Sequence, residues 1–179
     1  MKFKGISDWG LRRIALTFTS SKKKALLHTS PEEVIDVKDD SGLFGSFLFF
    51  VLGEMEDVQD AYQMSGASKY VHYLDEDELN LADANDIYYT DNYEKLGGII
   101  ADITERIGVD EDTAFELLCE RTSLIELEVH SADDDWWLQC MTAEAAAVLG
   151  YDGVEVEDEQ GSAYMINMLG RRSVAIGEI

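Results

Sequence analysis

Along residues 93–107 the apolar positions Leu96, Ile99, Ile100, Ile103 and Ile107 recur at three- and four-residue spacing, which gathers them on one face of an α-helix. Residues 109–121 repeat the pattern through Ala114, Leu117 and Leu118, and open with acids that favour a helix N-terminus. A third helix is predicted over 132–149, from the Asp133-Asp134-Asp135 run through Trp136, Trp137, Met141 and Ala145 to a stop at Gly150. Strands flank this helical middle. Residues 25–29 form a short apolar run, followed by Ser30-Pro31-Glu32-Glu33, the composition of a helix start. The run FGSFLFFVL over 44–52 has the continuous hydrophobicity of a strand buried on both faces. Residues 70–74, 153–156, 162–168 and 173–176 complete the predicted strands. Strands, then helices, then strands define an α+β fold, with the first and last strands expected to meet in the sheet. The chain has no internal repeat and no low-complexity tract.

Charge changes this picture. The 179 residues include 37 acids and 14 bases, a net charge of −23. A hydrophobic fraction of 46% excludes an acidic disordered tail, and no apolar run is long enough to span a bilayer, so no membrane association is expected. Direct nucleic-acid binding is also excluded, because phosphates would be repelled. A basic protein partner is compatible with the charge, as is imitation of a nucleic acid. The charge is unevenly spread: residues 1–24 hold 7 of the 14 basic side chains but one acid, Asp8. They are read as a basic N-terminal arm folded back on an acidic domain spanning 25–179, and they lack the apolar core and cleavage site of a secretory signal. Cys119 and Cys140 are too few for a disulfide scaffold and show no metal-ligand spacing, so no metal is expected and a reducing cytoplasm fits.

Three constellations could carry chemistry. His28 closes the first strand beside Thr29 and Ser30, where a ring and hydroxyls could face a ligand; the bland reading is a half-buried histidine beside a helix cap. His72 and His130 have no such neighbourhood and are read as structural. Phe44, Phe47, Phe49 and Phe50 read first as core, although one strand face could offer a ring to a planar ligand. The acidic turn from Glu155 to Ser162 reads as a solvated hairpin, or as the source of a carboxylate that stabilises positive charge developing on a sugar.

The segments Leu27-His28-Thr29-Ser30-Pro31, Phe44-Gly45-Ser46-Phe47-Leu48-Phe49-Phe50 and Leu149-Gly150-Tyr151-Asp152-Gly153-Val154, the last running into Asp158-Glu159-Gln160-Gly161 and Tyr164-Met165-Ile166, resemble the three motifs of ADP-ribosyltransferases. The likeness is greatest to the phage-encoded type I-F anti-CRISPR ADP-ribosyltransferases, over roughly residues 26–170. It implies a split central β-sheet with helices and an NAD cleft between the sheet halves. It assigns NAD contacts to His28, Thr29 and Ser30, aromatic contacts to Phe44, Phe49 and Tyr62, and the catalytic carboxylate to Asp158 or Glu159. Thr29 stands where the family usually has glycine, and Phe49 where it usually has tyrosine.

The resemblance thus implies mono-ADP-ribosyl transfer from NAD to a side chain of a basic, nucleic-acid-binding host protein in the bacterial cytoplasm. A type I-F CRISPR surveillance complex is the implied target, its DNA recognition blocked by the modification. Two alternatives stand beside it: a non-catalytic acidic DNA mimic, which the runs Asp75-Glu76-Asp77-Glu78, Asp110-Glu111-Asp112 and Asp133-Asp134-Asp135 permit, and an NAD glycohydrolase, in which water replaces the acceptor.

Overall fold

The protein was analysed as a computed structural model that describes residues 25–31, 37, 44–53, 70–129, 131–158, 161–171 and 174–178. The basic arm and the helix expected after Pro31 lie outside the described residues. Strands β1 (Ala25–Ser30), β2 (Phe47–Gly53) and β3 (Tyr70–Leu74) are followed by β4 (Leu81–Ala82). Helices α1 (Ala84–Tyr88), α2 (Gly97–Ile107), α3 (Glu111–Leu118) and α4 (Ala132–Leu149) come next, then β5 (Gly153–Asp158), β6 (Gly161–Asn167) and β7 (Val174–Glu178). The strands form one sheet in the order β4-β5-β6-β2-β1-β3-β7, antiparallel except for the parallel β4–β5 pair. The fold is α+β, as expected, but the first and last strands do not meet. β1 is paired on both sides, by β2 and β3, so β7 takes the remaining edge of β3.

β2 explains the architecture. Its apolar residues alternate between two cores: Phe47 and Phe49 pack with the helices, whereas Leu48, Phe50 and Leu52 pack on the opposite face. Along its length it changes partners. Phe47 to Phe50 pair with β6, and Val51 to Gly53 pair with β1. Beyond Leu27, β1 leaves β2 and continues beside β3 alone, with His28, Thr29 and Ser30 opposite His72, Val71 and Tyr70. The sheet is therefore divided at this end, between β1 and β2.

The helical layer is set by local signals. α2 buries Ile99, Ile100 and Ile103, and ends where Gly108 turns left-handed. α3 is capped by Asp110, whose side chain accepts the Thr113 N–H, and buries Ala114, Leu117 and Leu118 against the sheet core. α4 matches its predicted span, capped by Ser131 and stopped by Gly150 at φ 98°. The two thiols sit in this layer. Burial pushes Cys119 up to about 12 and Cys140 up to about 11, and neither is in a disulfide. Among the described residues no helix is long and apolar enough to cross a membrane, and no group of side chains could hold a metal ion.

Gly153 begins β5 where there is no room for a side chain. A Cβ there would lie 2.6 Å from both Ile166 Cδ1 and the Met165 carbonyl oxygen. Gly153→Ala is expected to cost about 1–3 kcal/mol through overpacking, lowering Tm by about 2–4 °C for each kcal/mol. Thermal unfolding of the variant followed by circular dichroism checks this, and an unchanged Tm would contradict the close β5–β6 approach.

Candidate functional site

The division of the sheet is closed by a side chain. His28 Nδ1 donates to the Phe49 carbonyl oxygen at 2.7 Å, a bond from β1 to β2 just beyond the last ladder pair. The half-buried ring packs 5.5 Å from Phe50 and 5.9 Å from His72. Burial lowers the His28 pKa, the Phe49 bond raises it and His72 lowers it further, with a net fall from 6.5. The ring is thus neutral at pH 7. Because a carbonyl can only accept, Nδ1 carries the proton, and Nε2 is left with a lone pair for a hydroxyl donor.

Register extends this position into a row. Continuing the β1–β2 ladder by one residue sets His28 opposite Phe50, which is paired with Tyr164, which is paired with Glu155. Phe50 and Tyr164 share the core on the face away from the helices. The Tyr164 hydroxyl hydrogen-bonds Glu155, and burial, the charges of Glu155 and Glu76 and this bond raise its pKa. An imidazole, two aromatic rings and a carboxylate therefore cross one face of the sheet in sequence.

The residues singled out from sequence are distributed across this frame. His28 and Thr29 are half-buried in β1, and Ser30, its last residue, is buried. Phe49 contributes its carbonyl to His28, but its ring lies on the helical face, edge-on to Phe44 at 4.8 Å. Both phenyl rings line a cleft of ≈ 830 Å³ with Glu120, Gln139 and Glu157. Asp158 is the last residue of β5, paired with Gly161. It is three residues beyond Glu155, about 10 Å along the strand from the His28 row. Tyr62 and Glu159 lie outside the described residues. The structure thus joins His28 to the backbone of Phe49, and sets the Phe44 and Phe49 rings on the other side of the sheet.

Two further carboxylates, Glu155 from the acidic turn and Glu120, join this frame. Glu155 opens that turn, and its pairing with Tyr164 in the antiparallel β5–β6 ladder is what sets it in the His28 row. Glu120 had no sequence signal. It follows α3 in a left-handed conformation, φ 54°, and its carboxylate accepts the Glu157 N–H at 3.3 Å. Loss of water around the carboxyl raises its pKa against that hydrogen bond, and Glu157 and Glu155 raise it further.

No protein-family model matches the sequence, and neither does any curated protein. Among solved structures, the fold is similar to a crystal structure of an anti-CRISPR protein, with a TM-score of 0.54 and 24% identity. The similarity covers 87% of this chain and 94% of that one. It shows a shared fold.

The lowered His28 pKa has a consequence for stability. Below about pH 6.5 the unfolded chain takes up a proton that the folded ring resists, so this group's contribution falls as pH drops through that window. His28→Gln, which can still donate to Phe49, is expected to flatten the stability profile between pH 6.5 and pH 5. Urea unfolding of both proteins across that range checks it; parallel profiles would contradict a neutral buried ring.

Proposed function

We propose that this chain inhibits a CRISPR effector complex by mono-ADP-ribosyl transfer from NAD to a basic, nucleic-acid-binding subunit, the type I-F surveillance complex implied by the sequence resemblance. The observation that carries the reading is the divided sheet with a neutral histidine fixed at its division. The fold shared with an anti-CRISPR protein supports the biological role. The net charge of −23 supports a basic partner, since complementary fields speed encounter by roughly 10- to 1000-fold at low salt.

His28 fits a sugar ligand. Its Nδ1–H is committed to Phe49, so its ring is held in one orientation and offers Nε2 to a ribose hydroxyl. Thr29 and Ser30 add hydroxyls at the same strand end. NAD supplies a glycosidic bond whose rupture leaves positive charge on the sugar, and a fixed carboxylate lowers the barrier by stabilising that charge. Asp158 and Glu159 hold this role by motif, and Glu155 by its place in the His28 row. The pyrophosphate finds no support in the overall charge and would depend on local donors such as backbone N–H groups.

The test is incubation of the full chain with adenine-labelled NAD and purified type I-F surveillance complex. Label is expected on a complex subunit. Replacing the responsible carboxylate, assayed as Asp158→Ala, Glu159→Ala and Glu155→Gln, is expected to reduce transfer by about 10²- to 10³-fold. Stoichiometric inhibition without NAD would overturn the reading in favour of an acidic mimic. Nicotinamide release that ignores the partner would overturn it in favour of a glycohydrolase.

A further inference from the structure

α4 carries more apolar surface than its core contacts use. Leu138, Ala145, Ala146 and Leu149 face the sheet core. Another side carries Cys140, Met141 and Ala147, which also touch the core, and adds Trp136 and Val148, which stand exposed. That side lines an open cleft of ≈ 840 Å³ whose far wall includes Phe44, Phe47 and Leu169. Trp136 is 49% exposed, Val148 47% and Leu169 52%, so large apolar side chains stand in water along the groove. Trp136 and Phe44 also line the neighbouring ≈ 830 Å³ cleft, where Ile125 is 68% exposed, and so the two clefts adjoin.

The rim of this groove is acidic. Asp133 and Glu144 line one cleft with Arg106, and Glu120, Glu126, Asp135 and Glu157 line the other with Arg121, so the balance is acidic in both. Its chemistry is already displayed by one internal side chain. Arg106 lies 4.4 Å over the Trp137 ring, and its guanidinium pairs with Asp134 at 2.9 Å. An aromatic ring next to a carboxylate on the first turns of α4 thus receives a guanidinium. Trp136 repeats the ring one residue earlier, exposed, beside Asp133.

We infer that the α4 groove is the docking surface for an arginine-bearing segment of a basic protein partner, with Trp136 stacking a partner guanidinium and the Val148 and Leu169 end receiving apolar side chains. The inference rests on the basic-partner part of the proposed function and locates that partner on the helical face, away from the His28 row. It is independent of any reaction with NAD.

The experiment titrates the full chain, without NAD, with a short peptide of alternating arginine and leucine, and with its lysine and glutamate counterparts. Binding is read by calorimetry. The arginine peptide is expected to bind at least tenfold more tightly than the lysine peptide, and the glutamate peptide not to bind. Trp136→Ser and Leu169→Ser, both at exposed positions, are expected to weaken binding at least tenfold while circular dichroism is unchanged. Equal binding of the arginine and lysine peptides would reduce the effect to net charge and overturn the proposal, as would a Trp136→Ser affinity within twofold of the parent. A full-length Arg12→Gln, Arg13→Gln variant that binds tenfold more tightly would also overturn it, by giving the groove to the chain's own basic arm. Loss of docking with unaltered NAD chemistry, or the reverse, separates this inference from the transfer reaction.

Discussion

One strand serves two ladders. β2 can bond through both edges, yet it spends its first residues on β6 and its last on β1, so the two halves of the sheet are continuous only through residues 47–53. At the changeover a backbone carbonyl would otherwise face a departing strand, and an unpaired buried carbonyl is costly. The His28 ring satisfies the Phe49 carbonyl and in doing so fixes its own tautomer. A repair of the hydrogen-bond pattern and a preorganised polar group are here the same bond. This explains why a histidine, and not an aliphatic residue, stands in a strand whose neighbours Leu26 and Leu27 are fully apolar and buried.

Much of the helical layer was legible because its signals are local. Ser131 and Gly150 bound α4 from within a few residues of its ends, and the isoleucine stripe of α2 identifies its buried face unaided. The sheet was legible as strands but not as a topology. FLFFVLG is apolar at every side-chain position, so its pattern cannot say which face meets the helices or where it exchanges partners. The two-residue strand β4, bonded in parallel to β5, is too short to leave a periodic trace. For the site, His28 was identifiable from its place at a strand end. Its association with Tyr164, and through the β5–β6 hairpin with Glu155, depends on the β2–β6 pairing between segments more than a hundred residues apart.

The acidic runs hold two kinds of side chain. The carboxylates of Asp83, Asp110 and Asp134 accept hydrogen bonds at the starts of α1, α3 and α4, where the helix dipole also favours negative charge. Asp152 accepts the Asn80 N–H and pairs with Arg171, tying the start of β5 to the segments before β4 and after β6. These carboxylates are committed to the fold. Asp133 and Glu144, on the groove, are placed to be felt from outside. A polyanion surrogate would present its charges in a regular outward array; here Asp83, Asp110, Asp134 and Asp152 are turned to local structural bonds.

The thiols of Cys119 and Cys140, raised to about 12 and about 11, have a practical corollary. At pH 7 both thiols are held more fully protonated than an ordinary exposed cysteine. Burial and protonation are expected to make both slow toward maleimides and mild oxidants. A single cysteine introduced on an exposed helix would therefore be a selective handle for a dye or spin label, with both natural cysteines left in place.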